Sequence, residues 1–194
     1  YTLSLHDALP ISFMTGPTHA RSSGTSMFGG IGRALSHRDY LLYWSSNGIN
    51  TIGRWMYRIA VGWLTWELTE STTWLGIIAF AESFPLVVFS VLAGAIADRG
   101  GYIRITLLAQ TATAIVAAAF AAMTLAGVIT IELVLLSALL IGSLESLTTP
   151  ARMALVHALV PKQDLAPAIA LGSATFNAAR FIGPAIAGAL LVWT

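Results

Sequence analysis

Between two long apolar runs stands GAIADRGGYIR, residues Gly94 to Arg104, and no other stretch narrows the possible folds as much. Asp98 and Arg99 require water or a charged partner, whereas the runs on either side are long enough to require lipid. The adjacent Gly100 and Gly101 supply the backbone freedom of a sharp reversal. A tight turn joining two membrane helices meets all of these demands. Composition agrees: of 194 residues, 56% are hydrophobic and only 10% charged, against about 25% charged in a typical soluble domain. The chain reads as an all-α polytopic membrane protein, with membrane lipid as its main partner.

Several functions are excluded early. The formal net charge is +1 and the ten Lys and Arg are scattered, so no basic face offers itself to nucleic acid. There is no cysteine, which removes disulfides, thiol catalysis and Cys-ligated metals. The four histidines are isolated, without a second ligand at helical spacing, so no metal site is expected. Gly29, Gly30 and Gly32 lack the Lys and the preceding strand of a phosphate-binding loop. No nucleophile and base converge, so the chain is not expected to be an enzyme, and no cofactor is implied.

Residues 1–12, beginning YTLSLHDALPI, match the translation of a common sequencing adapter and are expected to contribute nothing to the fold. Residues 13–38 read as a disordered cytoplasmic tail, and no signal peptide follows. Residues 39–194 read as part of a transmembrane bundle, with helices at about 40–68, 73–97, 103–126, 131–149 and 165–193. Pro150 and Pro161 are expected to bracket a short helix at the membrane surface carrying Arg152 and His157. With the amino terminus inside, the inner face receives Arg21, Arg33, Arg38, Arg99, Arg104, Arg152 and Lys162. The outer loops then hold Glu67, Glu70 and Glu132 without Lys or Arg, as the positive-inside rule requires. Trp63, Trp66, Trp74 and Trp193 are expected at the outer interface, and Tyr40, Tyr43, Trp44 and Tyr102 at the inner one.

Three stretches carry a resemblance. The turn resembles the loop between helices 2 and 3 of the major facilitator superfamily, Gly-x-Leu-Ala-Asp-Arg-x-Gly: Gly94, Ala97, Asp98, Arg99 and Gly101 match, and Ile96 replaces Leu. Tyr102 and Ile103 stand where that superfamily usually has Arg or Lys. Thr149 to Arg152 with ALVHALVP is similar to the loop between helices 4 and 5 in the branch that includes exporters of enterobactin, other siderophores and macrolides. NAARFIGPAIAG, Asn177 to Gly188, resembles the helix 5 antiporter motif; Gly183, Pro184 and Gly188 match, while Ala179 and Ala187 replace glycines. The resemblance implies a multi-pass protein of the bacterial cytoplasmic membrane, of which five of twelve helices are present. The missing carboxy-terminal half of the same polypeptide would be a partner, since five helices cannot complete a three-plus-three repeat. It also implies proton-coupled efflux of a siderophore-like or drug-like small organic substrate, with protons as the coupling partner. Asp98, Arg99 and Arg104, with Gly94 and Gly101, would then hold a cytoplasmic gate. An uptake symporter for sugars or metabolites, or a scaffold or sensor that transports nothing, are the competing readings.

The charges inside the helices point to the working part. Asn47, Asn50, Thr51, Arg54 and Arg58 share one face of the first helix. A charge at the centre of a membrane helix costs about 2.5 to 3.5 kcal/mol on insertion scales, so Arg54, Arg58 and Arg180 need compensation. Arg58 and Glu82 lie at similar depths, roughly 12 Å from the outer ends of adjacent antiparallel helices, and are expected to pair. Arg54 and Arg180 fall near the midplane. These arginines, with Asn47, Asn50 and Asn177 and the aromatic surfaces of Trp55 and Tyr57, are expected to line a cavity that attracts an anionic or phenolic substrate; an internal lock of salt bridges is the alternative. Glu82 is a candidate proton carrier or, equally, a permanently ionised partner of Arg58. Glu145 is expected near the cytoplasmic interface, solvated or paired with Arg152. Gly183, Pro184 and Gly188 are expected to permit close packing and a bend in the last helix, and His157 to lie at the surface.

Overall fold

The computed structural model describes the backbone of residues 27–192 and the side chains of 29–89 and 101–192. The adapter-like segment, residues 13–26, Trp193 and the side chains of Gly94, Asp98 and Arg99 lie outside these bounds. Six α-helices and one short 3-10 turn make up the described chain: α1 (Met27–Ser36), α2 (Arg38–Thr69), α3 (Thr72–Gly100), α4 (Tyr102–Leu125), α5 (Ile131–Leu159) and α6 (Leu165–Leu191), with the turn Lys162–Asp164 before α6. The links are short, so consecutive long helices run antiparallel.

Four stretches are long and apolar enough to cross a membrane: Thr72–Phe89, Tyr102–Leu125, Ile131–Leu159 and Lys162–Leu191. The fifth long helix, α2, has 32 residues, roughly 48 Å of length, but carries Arg54 and Arg58 mid-span. It packs along α6 on one side and reaches α3 and α5 on the other, while α5 serves as the common support for α3 and α4. Tyr40 and Trp44 of α2 donate to α6, at the Ala168 carbonyl (2.9 Å) and the Thr175 hydroxyl (2.8 Å). Tyr57 of α2 meets Ser137 of α5 at 3.0 Å. Val61, Ile78, Ala81, Val134 and Ala138 close the apolar core between α2, α3 and α5.

Small residues set the closest approaches. At Gly142 a Cβ would collide with the backbone carbonyl of Glu82, and at Gly183 it would lie 2.5 Å from Trp55 Cβ and 3.0 Å from the Ile52 carbonyl oxygen. Helix pairs this close need a residue without a side chain at the contact.

The polar break is tighter than a loop. Helix α3 continues through Asp98 and Arg99 to Gly100, α4 begins at Tyr102, and Gly101 alone reverses the chain with φ 78°.

Three expectations are corrected. The first concerns the tail, since residues 27–36 form the helix α1, whose Ala34 is fully buried and whose Gly30 sits against Pro167. Asp164, also buried, accepts from Arg33 Nε of α1 at 3.1 Å and faces His37 Nε2 at 3.4 Å. These contacts supply the apolar and ionic partners that a short Gly-containing segment lacks on its own.

The second is the surface helix between Pro150 and Pro161, which does not exist as a separate element: α5 runs unbroken from Ile131 to Leu159. Pro150 removes the donor that would bond the Ser146 carbonyl, and the Thr148 and Thr149 hydroxyls donate one residue earlier, to the Glu145 carbonyl.

The third concerns one member of the inner aromatic group, Tyr40. Tyr40 is 1% exposed and belongs to the α2–α6 seam with Ala34, Val160 and Ala168, so it does not anchor at an interface.

Candidate functional site

A cavity of about 860 Å³ lies between α2, α3, α5 and α6. Its α2 wall extends from Tyr40 to Arg58, roughly 27 Å along the helix and so close to the thickness of a bilayer's hydrocarbon core. The wall follows from helical periodicity: Asn47, Thr51, Arg54 and Arg58 fall within a narrow angular stripe, and all four line the cavity. Asn50 is about 70° off the centre of that stripe at 3.6 residues per turn and is not among the lining residues.

Two ionic clusters occupy the walls. Near one end, Arg58 grips Glu82 with two hydrogen bonds, Nη2 to Oε1 at 2.8 Å and Nε to Oε2 at 3.3 Å. The same pair also lines a smaller pocket of about 290 Å³ bounded by Val61, Leu75 and Ile78, so it stands as a partition between two spaces. Deeper along α5, Arg54 Nη1 and Arg152 Nη2 both donate to one oxygen of Glu145, Oε1. The Arg54, Glu145 and Arg152 side chains are 28%, 27% and 17% exposed, so the cluster faces the cavity instead of being sealed in the packing.

Glu145 is paired with Arg152 as expected, and Arg54 joins the pair from α2. With α5 unbroken, Glu145 sits midway along a 29-residue helix, and Arg152 is held two turns further on as a cavity residue. The spacing of seven between Arg152 and Glu145 puts both on one face of the continuous helix.

Aromatic groups connect the clusters. The Trp55 ring has the Arg58 guanidinium 5.2 Å and the Arg180 guanidinium 5.7 Å from its centroid, and meets Phe176 edge-on at 6.0 Å. Each cation over such a face is stabilised by about 0.5 to 2 kcal/mol. Trp55 therefore offsets part of the cost of the Arg180 charge; Arg180 is exposed and not among the cavity-lining residues. Asn177 does line the cavity, its amide donating to the Ser173 carbonyl at 2.8 Å. Among the described residues Trp55 Nε1 and Asn47 Oδ1 are buried without a hydrogen-bond partner, and both residues are part of the cavity wall. His157 is exposed, at the cavity rim.

Other expected residues fall outside this space. Gly183 and the half-buried Pro184 belong to the α2–α6 contact, whereas nothing lies within 4 Å of a Cβ built on Gly188. Gly101 forms the α3–α4 reversal and Arg104 is exposed in the first turn of α4.

Three guanidiniums and two carboxylates among the lining residues leave the cavity with one uncompensated positive charge. Its remaining surface is aromatic, aliphatic and amide, as suits an organic molecule carrying acidic groups.

Comparison with known proteins places these features in a lineage. Over 153 residues, 77% of this chain, it is 33% identical to a staphyloferrin A transporter of Staphylococcus aureus. The chain spans 38% of that curated relative's length. No solved structure matches. A family model described as transmembrane secretion effector matches residues 33–194, which includes every helix that walls the cavity. The chain belongs to that family, within the major facilitator superfamily.

Proposed function

We propose that this chain is the amino-terminal part of a secondary active transporter that exports a siderophore-like small organic molecule across the bacterial cytoplasmic membrane by alternating access. The observation that carries this reading is the cavity itself: charged side chains partly exposed to it at mid-helix, in a bundle whose outer surface is apolar. Intramembrane charges of this kind belong to substrate and ion pathways. A relative that transports staphyloferrin A supports a siderophore-like substrate, and the secretion description of the family supports the outward direction. Arg54, Arg58, Trp55, Asn47 and Asn177 contact substrate in this scheme. The Arg58–Glu82 partition opens as the protein changes state, and Glu82, released from Arg58, carries the proton. Asp98, Arg99 and Arg104 hold the gate on the inner side, where the amino terminus lies. Gly183 and Pro184 let α6 rock against α2.

Accumulation of a labelled siderophore in cells with and without the full-length gene tests this reading. Lower accumulation with the gene, abolished by Arg54→Gln, is the expected result. Higher accumulation identifies uptake, and no difference for any siderophore or drug tested leaves only a structural membrane role. Glu82→Gln removes proton dependence if Glu82 is the carrier; a Glu82→Gln protein that still works against a proton gradient overturns that assignment.

A further inference from the structure

The Arg54–Glu145–Arg152 cluster has an unequal charge count. Two guanidiniums donate to a single oxygen of one carboxylate, although two carboxylates would be needed to neutralise them. A guanidinium has five N–H donors and pairs best with a planar carboxylate through two parallel bonds. Among the described residues neither arginine has a second side-chain acceptor, and all three groups reach the cavity. Two further polar atoms of the α2 wall, Asn47 Oδ1 and Trp55 Nε1, are buried without partners among the described residues.

We propose that Arg54 and Arg152 form a carboxylate subsite, and that Glu145 occupies it as an internal stand-in which a substrate carboxylate displaces or joins. The inference rests on the transport reading for its biological role and goes further by naming the anchor and its ligand chemistry. The arginines come from α2 and α5, so a bound carboxylate ties the two helices together across the cavity. Glu145 prevents two like charges from facing each other in the empty cavity, and it lowers the affinity for external anions, since any ligand must compete with it. The Trp55 indole N–H and the Asn47 amide oxygen are covered in this state and meet hydroxyl or amide groups on the same molecule only once the α2 wall shifts. The ligand class that fits is an organic molecule with at least one free carboxylate.

The test uses the full-length protein in lipid nanodiscs, with propane-1,2,3-tricarboxylate as probe and its trimethyl ester as uncharged control, read by titration calorimetry. The acid is expected to bind and the ester not, with affinity falling as salt rises. Arg152→Gln is expected to weaken binding by about tenfold or more, and Arg152→Lys by less, because the charge remains while the two-bond geometry is lost. Glu145→Gln, by removing the competitor, is expected to tighten binding by about fivefold or more. Thermal melts identify any variant that fails to fold, and the lysine and Glu145 variants then decide the matter. Equal binding of acid and ester, no binding of the acid, or an unchanged affinity in a folded Glu145→Gln protein each overturns the subsite. A protein that moves a siderophore yet ignores the tricarboxylate loses the subsite alone. One that binds the acid through Arg152 and moves nothing loses the transport reading alone.

Discussion

The Arg58–Glu82 pair shows how far single residues can be read from a sequence. Both lie on consecutive antiparallel helices, so depth follows from counting rise, and the structure joins them at 2.8 Å. Arg58 is half exposed and Glu82 about a quarter exposed, so the pair contributes less than a fully buried one would. Removing one member strands the other inside the bundle, whereas removing both leaves two neutral amides that can bond to each other. Arg58→Gln and Glu82→Gln are therefore each expected to destabilise the protein, while the double variant recovers about 1 to 2 kcal/mol relative to the sum of the singles. Thermal melts of the four proteins in detergent measure this; strictly additive losses would mean the pair is not coupled. Arg54 and Glu145 cannot be matched in the same way. Their helices are separated by two others in sequence, and which non-consecutive helices touch is decided by packing, not by depth. The carboxylate that compensates Arg54 is thus visible in the sequence together with its Arg152 partner, but not its contact with α2.

At the scale of elements, apolar runs mark the long helices because lipid enforces a minimum length, but proline misleads. Pro150 reads as a stop in water, where the carbonyl it leaves free would turn to solvent. Inside a bundle that escape is absent, and α5 continues through it. Helix α1 escapes notice for the opposite reason: its ten residues hold no long apolar run, and its support comes from Pro167 and Asp164, far away in the chain. The contact between α3 and α5 depends on Gly142, and the obstacle to a larger residue is the backbone of Glu82, which cannot rotate away. Gly142→Ala is expected to lose about 1 to 3 kcal/mol, as overpacking typically does, and to disturb the Arg58–Glu82 pair by pushing α3 outward. Gly188→Ala, with open space around it, serves as the control and is expected to leave the melt unchanged. Gly101 is required for another reason. Its φ of 78° is unfavourable for any residue with a Cβ, so Gly101→Ala is expected to destabilise by about 1 to 3 kcal/mol without touching the cavity. Melts of these variants side by side separate a packing requirement from a backbone one.

For the whole molecule, the question is which surface meets water. Exposure alone does not say: Leu108 is 72% and Ile115 64% exposed, as is usual for residues that face hydrocarbon in a bundle of this kind. Ser83, Ser173 and Asn177 are also exposed, but they border the cavity between charged walls. The distinction is chemical, because a thiol ionises and reacts in water and stays protonated and inert in lipid. These 194 residues contain no cysteine, so single replacements report without interference from this part of the chain. In membrane vesicles of both orientations, Ser173→Cys and Ser83→Cys are expected to react with a hydrophilic maleimide about tenfold or more faster than Leu108→Cys and Ile115→Cys. Alternating access adds a second expectation. Locking the protein with a ligand should raise labelling from one side of the membrane and lower it from the other, since a single cavity cannot open both ways and still hold a gradient. Equal, ligand-independent labelling from both sides would describe an open channel. Reactivity confined to the α4 face would mean that α4 meets water and the space between α2 and α6 is filled by lipid or protein, leaving the arginines as ties between helices.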